Sequence, residues 1–178
     1  MDSILAVCVW LFGIIIGAII AVLAAEPAQR FAVRLLSPLI PGPSRSLRGI
    51  WESEYEYSSD GENCVERQLV EIRQFGRAVF GFSFKSQRHD HRLRAKFRQG
   101  LFLTGTWENT KPGKVYHGAA QFVFDPSGGV LKGKYVGFSD QLHRIEVGEW
   151  TMTLVTKHVD SKARLKAKRD FRAAADDS

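Results

Sequence analysis

The candidate functional side chains of this sequence are aromatic rings and arginines, which suit ligand binding. The sequence patterns that catalysis needs are missing. The sequence has no Gly-rich phosphate loop, no Ser/His/Asp or Cys/His set, and no close carboxylate pair beside a nucleophile. The run Arg-His-Asp-His-Arg at 88–92 resembles a metal-ligand cluster, but its two arginines would repel a cation. We therefore expect a protein without enzymatic activity, metal or cofactor.

Aromatic residues at alternating positions form the first candidate binding surface. The aromatic candidates are Tyr55, Tyr57, Trp107, Tyr116 and Tyr135. In the segment 49–57 the aromatic residues alternate with glutamates, which places the rings on one face of a strand. The other three lie on faces rich in Gly, Ala, Phe or Leu. Such rings suit a flat ligand, although the same pattern is typical of an aromatic core.

Two arginines, Arg67 and Arg73, would suit an anionic ligand if they point inward. Both share a strand face with Leu69, whereas Ile72 lies on the opposite face, so the sequence leaves open which face is interior. An inward Arg67 would require an anionic ligand or Glu71 as a partner, because an unpaired buried charge is costly.

The elements that must position these residues are eight short β-rich segments between Arg48 and Val155, separated by turn residues. The predicted strands are Gly49–Tyr57, Cys64–Gln74, Arg77–Lys85, Leu93–Gln99, Leu101–Asn109, Val115–Asp125, Val130–Phe138 and Ile145–Thr156. The segments have one apolar face, which Phe80, Phe82 and Phe84 supply in the third. Short connections pair neighbouring strands as hairpins. We therefore expect an all-β fold, a single up-and-down eight-stranded antiparallel β-barrel, with a sandwich as the alternative.

A Gly-x-Trp motif occurs three times, at 49–51, 105–107 and 148–150, and Gly133-x-Tyr135 is a near relative. Alternation places each glycine on the face of its aromatic residue, so the ring can lie over a position without a side chain. We expect these motifs to be packing units first.

An uncharged apolar segment runs from Ile4 to Ala25. At about 1.5 Å per residue it is roughly 33 Å long, enough to cross a hydrocarbon core of about 30 Å. We expect a transmembrane helix in residues 1–26. A cleaved signal peptide is the alternative, but the basic n-region is missing and the apolar run is too long. Arg30 and Arg34 follow the segment and no cation precedes it, which predicts a single-pass inner-membrane protein with a cytoplasmic barrel.

Small residues recur at every fourth position of this segment, at Gly13, Gly17 and Ala21, and predict close helix association in an oligomer. The same residues are also simply common in spanning helices. Residues 27–47 are expected to be an interfacial segment and a Pro-rich linker, and residues 48–157 the barrel.

Residues 158–178 are expected to be a basic C-terminal tail. The segment from Lys157 to Arg172 carries seven basic residues against Asp160 and Asp170, a net charge of +5 out of the chain's +6. The rest of the chain is therefore near +1, which argues against a general DNA or RNA binder. The tail is expected to be a helix with a basic face against an anionic inner leaflet, or to be disordered. A second basic patch faces outward from the fourth strand and comprises Arg88, Arg92, Arg94, Lys96 and Arg98.

An N-terminal membrane segment, followed by an eight-stranded meander that opens on Gly49-x-Trp51 and closes on Gly148-x-Trp150, resembles the membrane-anchored β-barrel effectors of bacterial CBASS anti-phage systems. The resemblance implies a lipocalin-like barrel that binds a cyclic dinucleotide, oligomerises and disrupts the membrane. The chain departs from that family in one respect, since the family typically has two spanning helices and this sequence has one clear span.

The resemblance also implies roles for the candidate residues. The bases of a cyclic dinucleotide would stack on the five aromatic candidates, and its phosphates would pair with Arg67 and Arg73. Two other functions remain open: a membrane-tethered lipocalin-like carrier of an apolar small ligand, and a structural membrane scaffold. Inward arginines favour the nucleotide, an apolar cavity favours the carrier, and a filled interior favours the scaffold.

Overall fold

The computed structural model describes residues 13–14, 46–59, 62–86, 90–111, 116–139 and 143–176. Strands β1 to β8 span Gly49–Ser59, Glu62–Phe75, Ala78–Ser86, His91–Arg98, Phe102–Asn109, His117–Asp125, Val130–Ser139 and Arg144–Thr156, and helix α1 spans Ser161–Asp176. The eight predicted strands are confirmed, each to within two residues at either end.

The strands form a closed antiparallel barrel in which each strand pairs with its neighbour in sequence and β1 pairs with β8. This confirms the up-and-down barrel and excludes the sandwich. The closing ladder is short. It runs from Ile50 opposite Thr156 to Tyr55 opposite Trp150, with a register shift after Ile50.

One end of the barrel, which we call the closed end, is sealed by tight turns and by the chain that enters β1. Three of its turns contain a glycine with positive φ, Gly76, Gly100 and Gly129, a conformation that only glycine adopts without strain. Leu47 is fully buried there, its amide donates to Gln74 Oε1 at 2.8 Å, and its carbonyl accepts from the indole of Trp51 on β1. The opposite end, where β1 meets β2 and β7 meets β8, is the open end.

The inner face of β3 differs from the expectation. On β3 the inward residues are Val79, Gly81 and Ser83, and the phenylalanines at 80, 82 and 84 lie on the outer face. The prediction that these phenylalanines face the interior is therefore wrong. The physical reason is that α1 covers this part of the barrel, which makes the outer face apolar as well.

Helix α1 packs along the outside of β1, β2 and β3. Asp160 caps its N-terminus by accepting from the Ala163 amide at 2.7 Å. Ala167 and Phe171 are buried in a cluster with Ile50 and Leu69 of the barrel. Of the two predictions for the C-terminal tail, the helix is confirmed for Ser161–Asp176.

The chain separates into two compact units, Met1–Ile40 and Pro41–Ser178, and the barrel and α1 belong to the second. The predicted spanning helix, its Gly17 and Ala21, and the linker up to residue 45 lie outside the described residues, apart from a helical pair at 13–14. In the part of the chain that the structure describes, no helix has both the length and the apolar character that crossing a membrane requires.

Candidate ligand-binding site

The interior of the barrel at its open end is a cavity of about 70 Å³ lined mostly by aromatic rings, which we call the aromatic cavity. Its lining comprises Tyr55, Tyr57, Ser58, His91, Trp107, Tyr116, Tyr135, Gly137, Phe138, Glu146 and Trp150. The structure thus brings all five aromatic residues chosen from the sequence into one place. Their role in binding stays a prediction.

The rings of the aromatic cavity meet edge to face. The Tyr135 ring lies 5.6 Å from Trp107 at 90° and 6.1 Å from Trp150 at 88°, measured between centroids. His91 lies 5.2 Å from the Tyr55 ring and 5.3 Å from that of Trp107. Such contacts add about 0.5–1.5 kcal/mol each to the burial of the rings, so the walls are well fixed.

Glycines make room for two of these rings. A Cβ added at Gly137 would collide with the Trp107 ring, and one added at Gly148 would lie 2.5 Å from Cε1 of Tyr135. Tyr135 is the cross-strand partner of Gly148. At Gly148, therefore, the ring that covers the glycine of the Gly-x-Trp motif comes from the neighbouring strand, and the motif shapes the cavity as well as the core.

A buried polar group anchors the cavity floor. Ser53 Oγ accepts from the Trp150 indole at 2.7 Å, and Gln68 Nε2 lies 3.1 Å from His91 Nδ1. Ser53 and Gln68 are fully buried. Because these bonds fix the positions of Trp150 and His91, the floor is organised before any ligand arrives.

The Trp107 indole differs from those of Trp51 and Trp150, both of which have an acceptor. Its Nε1 is buried and has no hydrogen-bond partner among the residues that the structure describes. An unsatisfied buried donor costs about 1–3 kcal/mol. An acceptor atom of a ligand placed beside this indole would recover that cost.

The two arginines chosen from the sequence are not in the cavity. The inner face of β2 carries Gln68 and Ile72, so Arg67 and Arg73 lie on the outer face. There Arg67 pairs with Glu52, and Nε of Arg73 lies 2.6 Å from a carboxylate oxygen of Glu71. The expectation that they would meet a ligand inside the barrel does not fit this geometry, because their partners are provided by the outer surface.

The charge inside the aromatic cavity is acidic. Glu146 lines it, with 14% of its side chain exposed, and pairs with Arg144 at 3.2 Å. Glu66 is buried on the inner face of β2 opposite Tyr55. Within the described lining there is no lysine or arginine. Sequence reasoning missed His91, Glu146 and Trp150 as lining residues, because only barrel closure brings β4, β5 and β8 together.

Beyond Tyr55 and Trp150 the ladder between β1 and β8 stops, and a cleft of about 550 Å³ lies there, which we call the rim cleft. One side of the rim cleft is formed by residues 56–58 and Asn63, and the other by residues 144–148. Tyr135 lines both the rim cleft and the aromatic cavity. The Tyr135 hydroxyl bridges the gap by donating to the Glu56 carbonyl at 2.6 Å. The cavity is thus bordered by a wider opening at the barrel seam.

Burial raises the pKa of two tyrosines in the cavity. It raises that of Tyr55 far above its usual value, with a further contribution from Glu66. It raises the pKa of Tyr135 to about 12, and Glu146 and Glu56 act in the same direction. A negative charge on either ring oxygen is therefore strongly disfavoured in the folded protein.

This predicts a specific loss of stability in alkali. Folded Tyr135 keeps its proton up to a pH of about 12, whereas an unfolded tyrosine loses its proton near a pH of about 10. The contribution of the Tyr135 hydroxyl to stability is therefore fully present below the unfolded pKa, and it is lost as the pH rises from the unfolded to the folded pKa. We expect the melting temperature of Tyr135→Phe to be lower at neutral pH, because the bond to Glu56 is lost, but to fall less steeply in this range. Parallel melting curves for the two proteins would contradict the assignment.

No protein-family model and no curated protein matches this chain. Among solved structures, a complex of mFAP2b with DFHBI aligns at 11% identity and a TM-score of 0.45, covering 61% of this chain and 93% of that one. A redesigned β-barrel, mFAP1, bound to DFHBI aligns at 10% identity and a TM-score of 0.42, covering 60% of this chain and 94% of that one. A variant of LTBP1 in complex with leukotriene C4 aligns at 10% identity and a TM-score of 0.37, covering 75% of this chain and 86% of that one.

Proposed function

We propose that this chain is a non-enzymatic receptor that binds a small ligand with a flat or compact apolar body in the aromatic cavity. The observation that carries the proposal is the construction of that cavity. Rings held edge to face surround the cavity, and Gly137 and Gly148 make room for two of them. One of these two rings is the indole of Trp107, which has no acceptor among the described residues. A ligand that presents an apolar surface to the rings and one acceptor atom to this indole satisfies both features.

Size and charge narrow the class of ligand. The cavity, at about 70 Å³, is below the ~300 Å³ at which pockets for drug-sized ligands begin. Its described lining offers a carboxylate and no cation, so a ligand with several negative charges would be buried without compensation. These features favour a small ligand that is not a polyanion, in keeping with the carrier-like alternative.

A cyclic-dinucleotide effector remains the second proposal. The number of flat rings beside the larger rim cleft favours it, because two bases need two stacking surfaces. Its phosphates would need cations, and the cation of the described rim-cleft lining is Arg144, which already pairs with Glu146. We rank this function second because Arg67 and Arg73 face outward.

The membrane part of the proposal rests on the sequence. The segment from Ile4 to Ala25 would tether the barrel to the cytoplasmic side of the inner membrane, and Gly13, Gly17 and Ala21 would bring copies together when ligand binds. An antiviral output through membrane disruption belongs to the second proposal.

The test is a thermal-shift series on the full-length protein in detergent. The probes are flat neutral aromatics, fatty acids, haem and several cyclic dinucleotides. A compound that binds only the folded state raises the melting temperature. A shift from a small apolar compound supports the first proposal, and a shift from cyclic dinucleotides alone supports the second. No shift from any probe at saturation would overturn both in favour of a structural scaffold.

Two tryptophan variants locate the bound ligand. Trp107→Phe keeps an aromatic ring but removes the unsatisfied indole donor, so we expect little loss of basal stability and roughly two- to tenfold weaker binding. Trp51→Phe is the matched control at the closed end, where the indole donates to the Leu47 carbonyl at 2.9 Å. That variant should lose about 1 kcal/mol of stability and keep its ligand affinity. Equal weakening in both variants would place the ligand elsewhere.

A further inference from the structure

The outward side of α1 is a continuous basic surface. Four of its cations point away from the barrel and are exposed: Lys162, Lys166, Arg169 and Arg172. Their spacing of three or four residues places them on one side of the helix. In their midst Leu165 is 69% exposed, the most exposed large apolar side chain among the described residues.

The opposite side of α1 fixes this surface in place. Arg164 pairs with Glu71 of β2, whose side chain is only 1% exposed. The same guanidinium lies 5.1 Å from the centre of the Phe84 ring, and that of Arg67 lies 5.9 Å from the centre of the Phe171 ring. The basic surface is therefore presented by a helix that is docked on the barrel.

Lys168 extends the positive charge toward β3, where its Nζ lies 5.7 Å from the centre of the Phe84 ring. Among the described residues, Lys162, Lys166 and Arg172 have no ion pair. We call the four outward cations of α1, with Leu165, the basic surface.

We propose that the basic surface docks on an anionic lipid bilayer. Unpaired cations near a membrane contribute about 1 kcal/mol each at an anionic leaflet, and an exposed leucine among cations suits the boundary between headgroups and acyl chains. A nucleic acid would match the charge but would leave Leu165 without an apolar partner. The inference does not depend on what the aromatic cavity binds.

The test uses the full-length chain in nanodiscs of phosphatidylcholine with or without phosphatidylglycerol. An environment-sensitive fluorophore is attached at Leu165→Cys in a Cys8→Ser, Cys64→Ser background. The matched control carries the fluorophore at Val123→Cys, since Val123 is 46% exposed on β6, outside the basic surface. We expect a blue shift at 165 in anionic discs only, reversed by high salt, and no shift at 123.

The charge variant Lys162→Gln, Lys166→Gln should lower the docking equilibrium constant roughly thirtyfold, because two unpaired cations are removed. Identical emission at 165 in the two kinds of disc would overturn the proposal. So would an unchanged shift in the charge variant, or a shift that appears with added RNA and not with anionic lipid. Circular dichroism of each labelled protein confirms that α1 is retained.

Discussion

Replacing Glu71 with glutamine is expected to lower the free energy of unfolding by about 3–5 kcal/mol. One carboxylate oxygen of Glu71 accepts from Arg73 Nε at 2.6 Å, and the other pairs with Arg164 of α1. The side chains of Glu71 and Arg73 are 1% and 8% exposed. The glutamine keeps the shape but leaves Arg73 buried without a counter-charge. Thermal melting should show a decrease of roughly 10 °C.

The matched control is Glu149→Gln. Lys134 and Glu149 form an ion pair of similar length, 2.9 Å, but their side chains are 69% and 57% exposed. Exposed pairs contribute about 1 kcal/mol or less, so this control should melt close to the unmodified protein. Hydrogen exchange supplies a second readout, because Glu71→Gln should also deprotect the amides of α1. Equal losses of stability in the two variants would mean that the buried Glu71 ion pair contributes no more than an exposed one.

Replacing Gly133 with alanine is expected to destabilise the barrel by about 3 kcal/mol or more. A Cβ at this position of β7 would collide with the Gln121 carbonyl oxygen and lie 2.7 Å from the Cα of Phe122. Both atoms belong to the backbone of β6, which is held by the ladder to β7, so neither can move without opening the sheet. Urea unfolding measures the loss.

Gly128→Ala is the control, in the turn that joins the same two strands. Its Cβ would meet only side-chain atoms, Cγ2 of Val130 at 3.5 Å and Oδ2 of Asp125 at 3.7 Å, which are ordinary contacts. We expect a change within about 0.5 kcal/mol. If Gly133→Ala is too unstable to purify while Gly128→Ala behaves normally, the expectation is met. Equal urea midpoints would show that β6 and β7 have more room than the structure gives them.

The barrel could be predicted from the sequence because its signals are local. Turn residues such as those at 126–129 separate segments of period two, and neighbours joined by short connections must pair. The aromatic part of the site followed from the same period, since the tyrosines of β1 alternate with exposed or half-buried glutamates. Tyr55 and Tyr57 therefore lay on the inner face as expected.

The faces of β2 and β3 could not be predicted from period alone. Both faces of β2 are buried from Gln68 to Gln74, one by the core and the other beneath α1. The residue pattern of β2 therefore does not show which face points into the barrel. A register shift between Leu69 and Val70 further changes the pairing with β3. Placing Arg67 and Arg73 required knowing that the basic tail returns to cover the barrel, which is a long-range contact without a local signal.

The ladder between β1 and β8 has a consequence for how the chain folds. Each of the other ladders joins consecutive strands and can form as a local hairpin, whereas this one joins Ile50 to Thr156 across almost the whole barrel sequence. Closing so long a loop carries a large entropic cost, so closure should follow the hairpins and limit the folding rate. During synthesis β1 has no partner on that side until β8 has left the ribosome. For that interval its edge is open to pairing with other chains, which is when aggregation is most favourable.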